Sequence, residues 1–113
     1  MSGDRSERLY LTDIRDAIDR ILDYTAKGRG DFIADPRTQD AVVRNIEIIG
    51  EATRGVSDAT RSAHPEIPWR DMADMRNKVI HDYFRTDLEV VWDVVTNDLP
   101  PLRQQIDGLL ATA

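Results

Sequence analysis

The stretch of residues 35–55, DPRTQDAVVRNIEIIGEATRG, decides the fold because it predicts one long amphipathic helix. Asp35 can cap this helix and Pro36 suits its first position. Its core-facing side chains follow the three-four spacing of one helix face, and they are Val42, Ile46, Ile49, Thr53 and Val56, widened by Val43 and Ile48. Gly50 lies inside this pattern, where glycine costs about 1 kcal/mol relative to alanine. We therefore expect another helix to pack closely at Gly50.

Helical periodicity also dominates on both sides of this stretch. A first helix is predicted over about residues 12–26, with Thr12 as its N-cap and the segment Gly28-Arg29-Gly30 as its end. Residues 63–68 form a break, and a third helix is predicted over about residues 69–83. No segment shows the alternation and turn chemistry of a β-hairpin.

The C-terminal third predicts two further helices. The segment Thr86-Asp87-Leu88-Glu89 reads as a capping box that begins the fourth helix. Residues 97–101 mark a kink or break before the last helix. The sequence contains no internal repeat and no linker. The fold class expected is therefore all-α, a four- to five-helix up-and-down bundle formed by one domain over residues 1–113.

The composition limits the classes of function. The chain has 113 residues, no cysteine and a formal net charge of −6. The absence of cysteine excludes disulfides, cysteine nucleophiles and thiolate metal sites, and it fits a cytoplasmic protein. A polar N-terminus and the lack of a long apolar run argue against secretion and membrane insertion. The acidic balance argues against broad nucleic-acid binding, unless a local basic groove or a basic partner is present.

One segment carries residue types suited to phosphodiester chemistry: Arg76-Asn77-Lys78-Val79-Ile80-His81-Asp82-Tyr83. Histidine can act as a base or an acid near neutral pH, and arginine can stabilise charge that develops on phosphorus. On a continuous helix Arg76 and His81 would lie about 140° apart, whereas Asn77 and His81 would share a face. A second copy of the helix across a two-fold axis would bring two such sets into one cleft.

Each of these residues also has a structural interpretation. An arginine and a histidine five apart on a helix are common, and His81 could simply favour the helix C-terminus. His64 precedes a proline in a loop, and we expect no catalytic role for it. Glu47 and Glu51 are a weak metal-site candidate; they could instead be exposed or pair with Arg44 or Arg54, or Glu51 could orient the motif arginine across the bundle. Trp69 and Trp92 are expected to be core or interface anchors.

The segment resembles the Arg-x4-His-x-Tyr motif of the HepT-like toxins, a family formerly described as a domain of unknown function within the HEPN superfamily. The asparagine after the arginine also matches. Further similarity lies in Ile49-Gly50-Glu51-Ala52, Ile67-Pro68-Trp69, Trp92 and Leu99-Pro100-Pro101-Leu102. The resemblance covers nearly the whole chain.

The resemblance implies a homodimer with a composite ribonuclease site at the subunit interface. Arg76 and His81 would be catalytic and Asn77 supporting, and the chemistry needs no metal ion or cofactor. It also implies a toxin-antitoxin pair, in which a MntA-like nucleotidyltransferase neutralises the toxin by transferring AMP from ATP to Tyr83. Two alternatives remain at this point: a non-catalytic nucleotide- or substrate-binding subunit of a nucleotidyltransferase complex, and a purely structural helical dimer.

Overall fold

The structure is a computed structural model that describes residues 3–81 and 85–112, with side chains for residues 7–80 and 86–112. In these ranges the chain is almost entirely helical. The helices are α1 (Gly3–Tyr24), α2 (Arg29–Ala34), α3 (Pro36–Arg54), α4 (Asp58–Ala63), α5 (Trp69–Ala73), α6 (Met75–Val79), α7 (Leu88–Asp93) and α8 (Leu99–Thr112). A π-helical turn (Val94–Asp98) joins α7 to α8.

Helix α3 forms the centre of the bundle. One of its sides packs along α1, and another contacts α5 and α6, while α1 also packs against α8. The core between these helices is closed to solvent; its fully buried members include Ile14, Ile18 and Ile21 of α1, Val42, Ile46 and Ile49 of α3, Met72 of α5 and Ile106 of α8. The prediction of an all-α helical bundle is therefore confirmed.

The start of α3 is fixed by the side chain of Asp35, as its sequence predicts. The Asp35 carboxylate accepts a hydrogen bond from the Arg37 backbone N–H at 3.0 Å and another from the Thr38 hydroxyl at 2.9 Å. These two hydrogen bonds lower the pKa of Asp35 below its usual value, and the bond from Thr38 has the larger effect. Pro36 occupies the first helical position, where its missing N–H leaves no donor unpaired.

Helices α3 and α5 approach each other closely at Gly50. A Cβ atom added at Gly50 would lie 3.2 Å from the carbonyl oxygen of Ala73, the last residue of α5. That oxygen also accepts a hydrogen bond from Arg54 at 3.0 Å. The expectation of close helix packing at Gly50 is confirmed, and the contact is made by backbone rather than by a flexible side chain.

The N-terminal helix is longer than predicted. It begins at Gly3, so Thr12 lies inside it and is not an N-cap. The additional turns are held by contacts with remote elements that no local pattern reveals. The Glu7 carboxylate accepts hydrogen bonds from the Ser57 backbone N–H and the Thr60 hydroxyl, both at 2.6 Å, at the start of α4. Arg8 donates to the carbonyl oxygen of Leu110 at 3.0 Å.

The predicted third helix is divided and ends early. It is split at Asp74 into α5 and α6, and α6 ends at Val79. The backbone becomes extended at Ile80, with a φ of −90° and a ψ of 125°, and the Val79 carbonyl accepts a hydrogen bond from the Asp87 backbone N–H at 2.9 Å. The next residues form a strand pair, β1 (Ile80–His81) and β2 (Arg85–Thr86), antiparallel with His81 opposite Arg85. The prediction of no hairpin is wrong here.

Three further boundaries differ from the predictions. Helix α1 ends at Tyr24, Gly28 follows with a φ of 99°, and the short helix α2 begins at Arg29, so Gly30 lies inside it. The N-cap of α7 is Asp87 rather than Thr86, because the Asp87 carboxylate accepts hydrogen bonds from the backbone N–H groups of Glu89 and Val90. Pro100 does not end the helix, because it lies in the first turn of α8, just after the π-helical turn. A proline is tolerated in a first turn because its missing N–H is not needed for a hydrogen bond there.

None of the helices in residues 3–81 and 85–112 combines the length and the apolar character needed to cross a lipid bilayer.

The two interior glycines of α3 and α8 provide a matched test of the contact at Gly50. No described atom lies within 4 Å of a Cβ added at Gly108. Gly108→Ala should therefore raise the free energy of unfolding by about 0.5–1 kcal/mol through helix propensity alone. Gly50→Ala should raise it by less, or lower it, because the Ala73 carbonyl must move. Urea denaturation of both variants measures this, and equal gains would contradict the close contact.

The cap of α3 should make part of the stability depend on pH. Since the pKa of Asp35 is lowered on folding, its carboxylate stabilises the folded state above the unfolded-state pKa, and this contribution disappears as the pH falls through the lowered value. Asp35→Ala should reduce the urea midpoint at pH 7, and the difference from wild type should shrink towards pH 3. Asp35→Asn, which retains a cap but does not titrate, should lose little at pH 7. A pH-independent difference for the alanine variant would refute this assignment.

Candidate active site

Arg76 lies on the surface where α6 meets α3. Its Nε atom donates a hydrogen bond to Oε2 of Glu47 at 2.7 Å, across 29 positions of sequence. The Arg76 side chain is 45% exposed, whereas that of Glu47 is 27% exposed. The guanidinium is therefore anchored at one nitrogen while much of the group faces solvent, which is the arrangement expected of a cation that contacts an external anion.

Glu47 belongs to a row of charged side chains on the exposed face of α3. Arg44 lies 3.9 Å from Glu47 and 3.6 Å from Glu51, so the prediction that these glutamates pair with Arg44 is confirmed. The expectation that Glu51 orients the motif arginine is wrong: Glu47, one turn earlier, makes that contact. Glu51 directly follows Gly50, and its side chain is 63% exposed.

Asn77 is held by a residue that lies three positions before it in the sequence, Asp74. Its Nδ2 atom donates to Oδ1 of Asp74 at 2.7 Å, and Asp74 is the residue that separates α5 from α6. Lys78 reaches a different neighbour, because its Nζ atom donates to Asp98 at 3.3 Å in the π-helical turn. The three consecutive polar residues of α6 are thus each oriented by a carboxylate from a different part of the chain.

The structure places only part of the motif. His81 lies in β1 immediately after α6, and its side chain is outside the described residues, as is all of Tyr83. Because α6 ends at Val79, the helical angle between Arg76 and His81 does not apply, and Asn77 and His81 do not share a helix face. Both inferences from helical register are wrong, and the argument for a dimer that rested on that angle no longer holds.

The remaining sequence candidates have structural contacts. Trp69 is buried and donates its Nε1–H to the carbonyl oxygen of His64 at 2.9 Å. The His64 ring lies 3.4 Å from Glu66. Trp92 packs against Phe32 with 5.5 Å between ring centroids. Trp69 is therefore a core anchor, as expected, whereas Trp92 is partly buried and packs against the edge of the core. Within the described ranges, no three His, Asp or Glu side chains are grouped so that they could hold a metal ion.

Two residues near the motif were missed as partners of its side chains. The sequence offers Glu47 as half of a carboxylate pair, as an exposed residue or as a partner of Arg44 or Arg54, but not as the partner of Arg76, and it assigns no role to Asp74. Each contacts its motif residue through a geometry that spacing does not reveal: Glu47 lies on another helix, and Asp74 occupies a helix junction that the periodicity does not show.

Comparison with known proteins identifies the family. The model of the family "Ribonuclease HepT-like" matches residues 14–109, a range that includes the whole motif segment. The chain belongs to the ribonuclease HepT-like family, as its motif predicts, and the predicted class of enzyme, an RNA endonuclease, agrees with that membership.

Individual relatives match most of this chain, and two of the three described below are also matched over most of their own length. The chain is 45% identical to "Probable ribonuclease HepT" of Thermococcus cleftensis over 106 residues, which is 93% of this chain and 96% of that protein. It is 36% identical to "Putative RNase MJ0127" of Methanocaldococcus jannaschii, over 91% and 86% of the two chains. A third relative, "Gamma-glutamylcyclotransferase and putative RNase MJ0434" of the same organism, is 41% identical over 88% of this chain and 45% of its own length. No solved structure matches the chain.

Proposed function

We propose that the protein is a metal-independent RNA endonuclease in which Arg76 and His81 are the catalytic residues and Asn77 supports them. The observation that carries this proposal is the Arg-x4-His spacing in a chain of the ribonuclease HepT-like family. The exposed guanidinium of Arg76, anchored by Glu47 at the surface of α6, supports it independently, because a nuclease needs a fixed cation within reach of substrate phosphate.

The reaction follows from these residue types. A neutral histidine takes the proton of a ribose 2′-hydroxyl, and the oxygen attacks the adjacent phosphorus. Arg76 stabilises the additional negative charge on the phosphoryl oxygens. The bond to the 5′-oxygen breaks, and a protonated histidine gives that oxygen a proton. The products are a 2′,3′-cyclic phosphate and a 5′-hydroxyl, and water is not consumed in this step.

A homodimer would supply the two proton-transfer groups. The motif contains one histidine, His81, but the reaction needs both a base and an acid. In an isologous dimer the same surface of each protomer meets its copy across a two-fold axis. Two copies of His81 and two of Arg76 would then face a single RNA strand, which is the composite site that the family resemblance implies.

We further propose that this nuclease is the toxin of a toxin-antitoxin pair and that a nucleotidyltransferase partner inactivates it by transferring AMP from ATP to Tyr83. Tyr83 is two residues from His81 in the sequence. The phenolic oxygen attacks the α-phosphorus of ATP, pyrophosphate leaves, and the tyrosine proton is lost. The attached phosphate would carry negative charge where the substrate phosphate must bind, and the adenine would fill the RNA cleft.

Cleavage assays test the catalytic assignment. Wild-type protein should cleave RNA in the presence of EDTA, and Arg76→Ala and His81→Ala should each reduce the rate at least about 100-fold. Arg15→Ala, which removes a surface arginine paired with its neighbour Asp16, should cleave like wild type. Undiminished cleavage by pure His81→Ala protein would refute the mechanism. Binding of ATP or RNA without any turnover by wild type would support the alternative of a non-catalytic subunit.

Intact-mass spectrometry tests the modification. After co-expression with an active nucleotidyltransferase from the neighbouring reading frame, the chain should gain the mass of one AMP group. Tyr83→Phe should show no gain. Tyr24→Phe is the control, because Tyr24 is another tyrosine with an exposed side chain, and this variant should still be modified. A gain that persists in Tyr83→Phe would assign the modification to another residue.

A further inference from the structure

The contact between Arg76 and Glu47 connects the candidate active site to the central helix of the bundle. It joins α6 to α3 with a separation of 2.7 Å between Arg76 Nε and Glu47 Oε2. From this geometry we propose that Glu47 is a positioning residue, which sets the direction of the Arg76 guanidinium for phosphate binding. The proposal rests on the proposed function, since it gives Glu47 a role in the same reaction.

The nitrogen that is used determines what remains available. A guanidinium carries five N–H donors, one on Nε and four on the two terminal nitrogens. The hydrogen bond to Glu47 uses the Nε–H donor of Arg76 and leaves the two terminal nitrogens for other acceptors. The edge formed by the two terminal nitrogens can then bind two phosphate oxygens in parallel, which is the strongest arrangement between arginine and phosphate. An arginine fixed through Nε is therefore held with its phosphate-binding edge directed away from its partner.

Glu47 is itself well fixed. It lies within α3, which is 19 residues long and packs on α1, α5 and α6. Its side chain is only 27% exposed, and its other carboxylate oxygen, Oε1, faces Arg44 at 3.9 Å. Arg44 also offsets the negative charge that Glu47 would otherwise present to an approaching phosphate. The carboxylate can thus orient Arg76 without making the surface around it acidic.

Glu51 provides a matched control for this role. It is a glutamate on the same helix, four residues further on, and its carboxylate is 3.6 Å from Arg44. Glu47→Ala and Glu51→Ala therefore remove the same charge from the same helix face, but only the first removes the partner of Arg76. If the effect of Glu47 were general electrostatics, the two variants would behave alike.

Steady-state cleavage of a short RNA is the first measurement. Glu47→Ala should lower kcat by about 10- to 100-fold, because a misdirected catalytic group costs that much, while KM stays within about threefold of wild type. Glu47→Gln, whose amide oxygen can still accept from Nε, should recover most of the rate. Glu51→Ala should remain within about twofold of wild type in both constants. Thermal unfolding of each variant identifies any loss that comes from misfolding.

A second measurement does not need RNA cleavage. In nitrogen-edited NMR spectra, the Arg76 Nε–Hε signal should be protected from exchange in wild type and in Glu51→Ala, and it should lose protection in Glu47→Ala. The signal is assigned from its absence in Arg76→Lys. If wild type cleaves no RNA, the proposed function fails, whereas the NMR comparison still decides whether Glu47 holds Arg76.

Three results would overturn the proposal. The first is an unchanged Arg76 Nε–Hε signal in Glu47→Ala, which would show that Glu47 does not fix the guanidinium. The second is a higher kcat/KM in Glu47→Ala than in wild type, which would show that Glu47 competes with phosphate for Arg76. The third is an equal loss of activity in Glu47→Ala and Glu51→Ala, which would indicate an effect of charge alone.

Discussion

The close approach of α5 to α3 at Gly50 is the constraint on which the site depends. A side chain at this position would press on the Ala73 carbonyl, so the glycine allows the end of α5 to lie directly on α3. Arg54 then binds the same carbonyl one turn further along. With the end of α5 fixed in this way, α6 begins beside the middle of α3, and Arg76 meets Glu47. The position of the candidate catalytic arginine is thus set by a backbone contact in the core.

The charge distribution explains how an acidic chain can bind RNA. The net charge is −6, yet five charged side chains where α3 meets α6 sum to +1: Arg44, Glu47, Glu51 and Arg54 of α3 and Arg76 of α6. Two acidic side chains elsewhere, Asp19 and Asp107, pair with Arg103 and raise its pKa. A small basic region is enough for an enzyme that contacts a few phosphates, and the surrounding negative charge would limit non-specific binding.

The sequence predicted α3 well because its signals are local. The cap at Asp35, the proline beside it and the apolar spacing all lie within the helix itself. The end of α6 was predicted wrongly because it depends on the bond from Asp87 to Val79, eight residues apart. The local sequence pattern also could not predict whether Arg76 contacts Glu47 or Glu51. Both lie on one face of α3, and the register between α3 and α6 decides which of them Arg76 reaches.

In the proposed mechanism, this member of the ribonuclease HepT-like family cleaves RNA by attack of a ribose 2′-hydroxyl on the adjacent phosphorus, with Arg76 held at the reacting phosphate. The most direct test is the chemistry of the fragment ends produced by the purified protein in EDTA. This mechanism predicts 2′,3′-cyclic phosphate and 5′-hydroxyl ends. Fragments with 3′-hydroxyl and 5′-phosphate ends would contradict it, because they require attack by water rather than by the neighbouring hydroxyl.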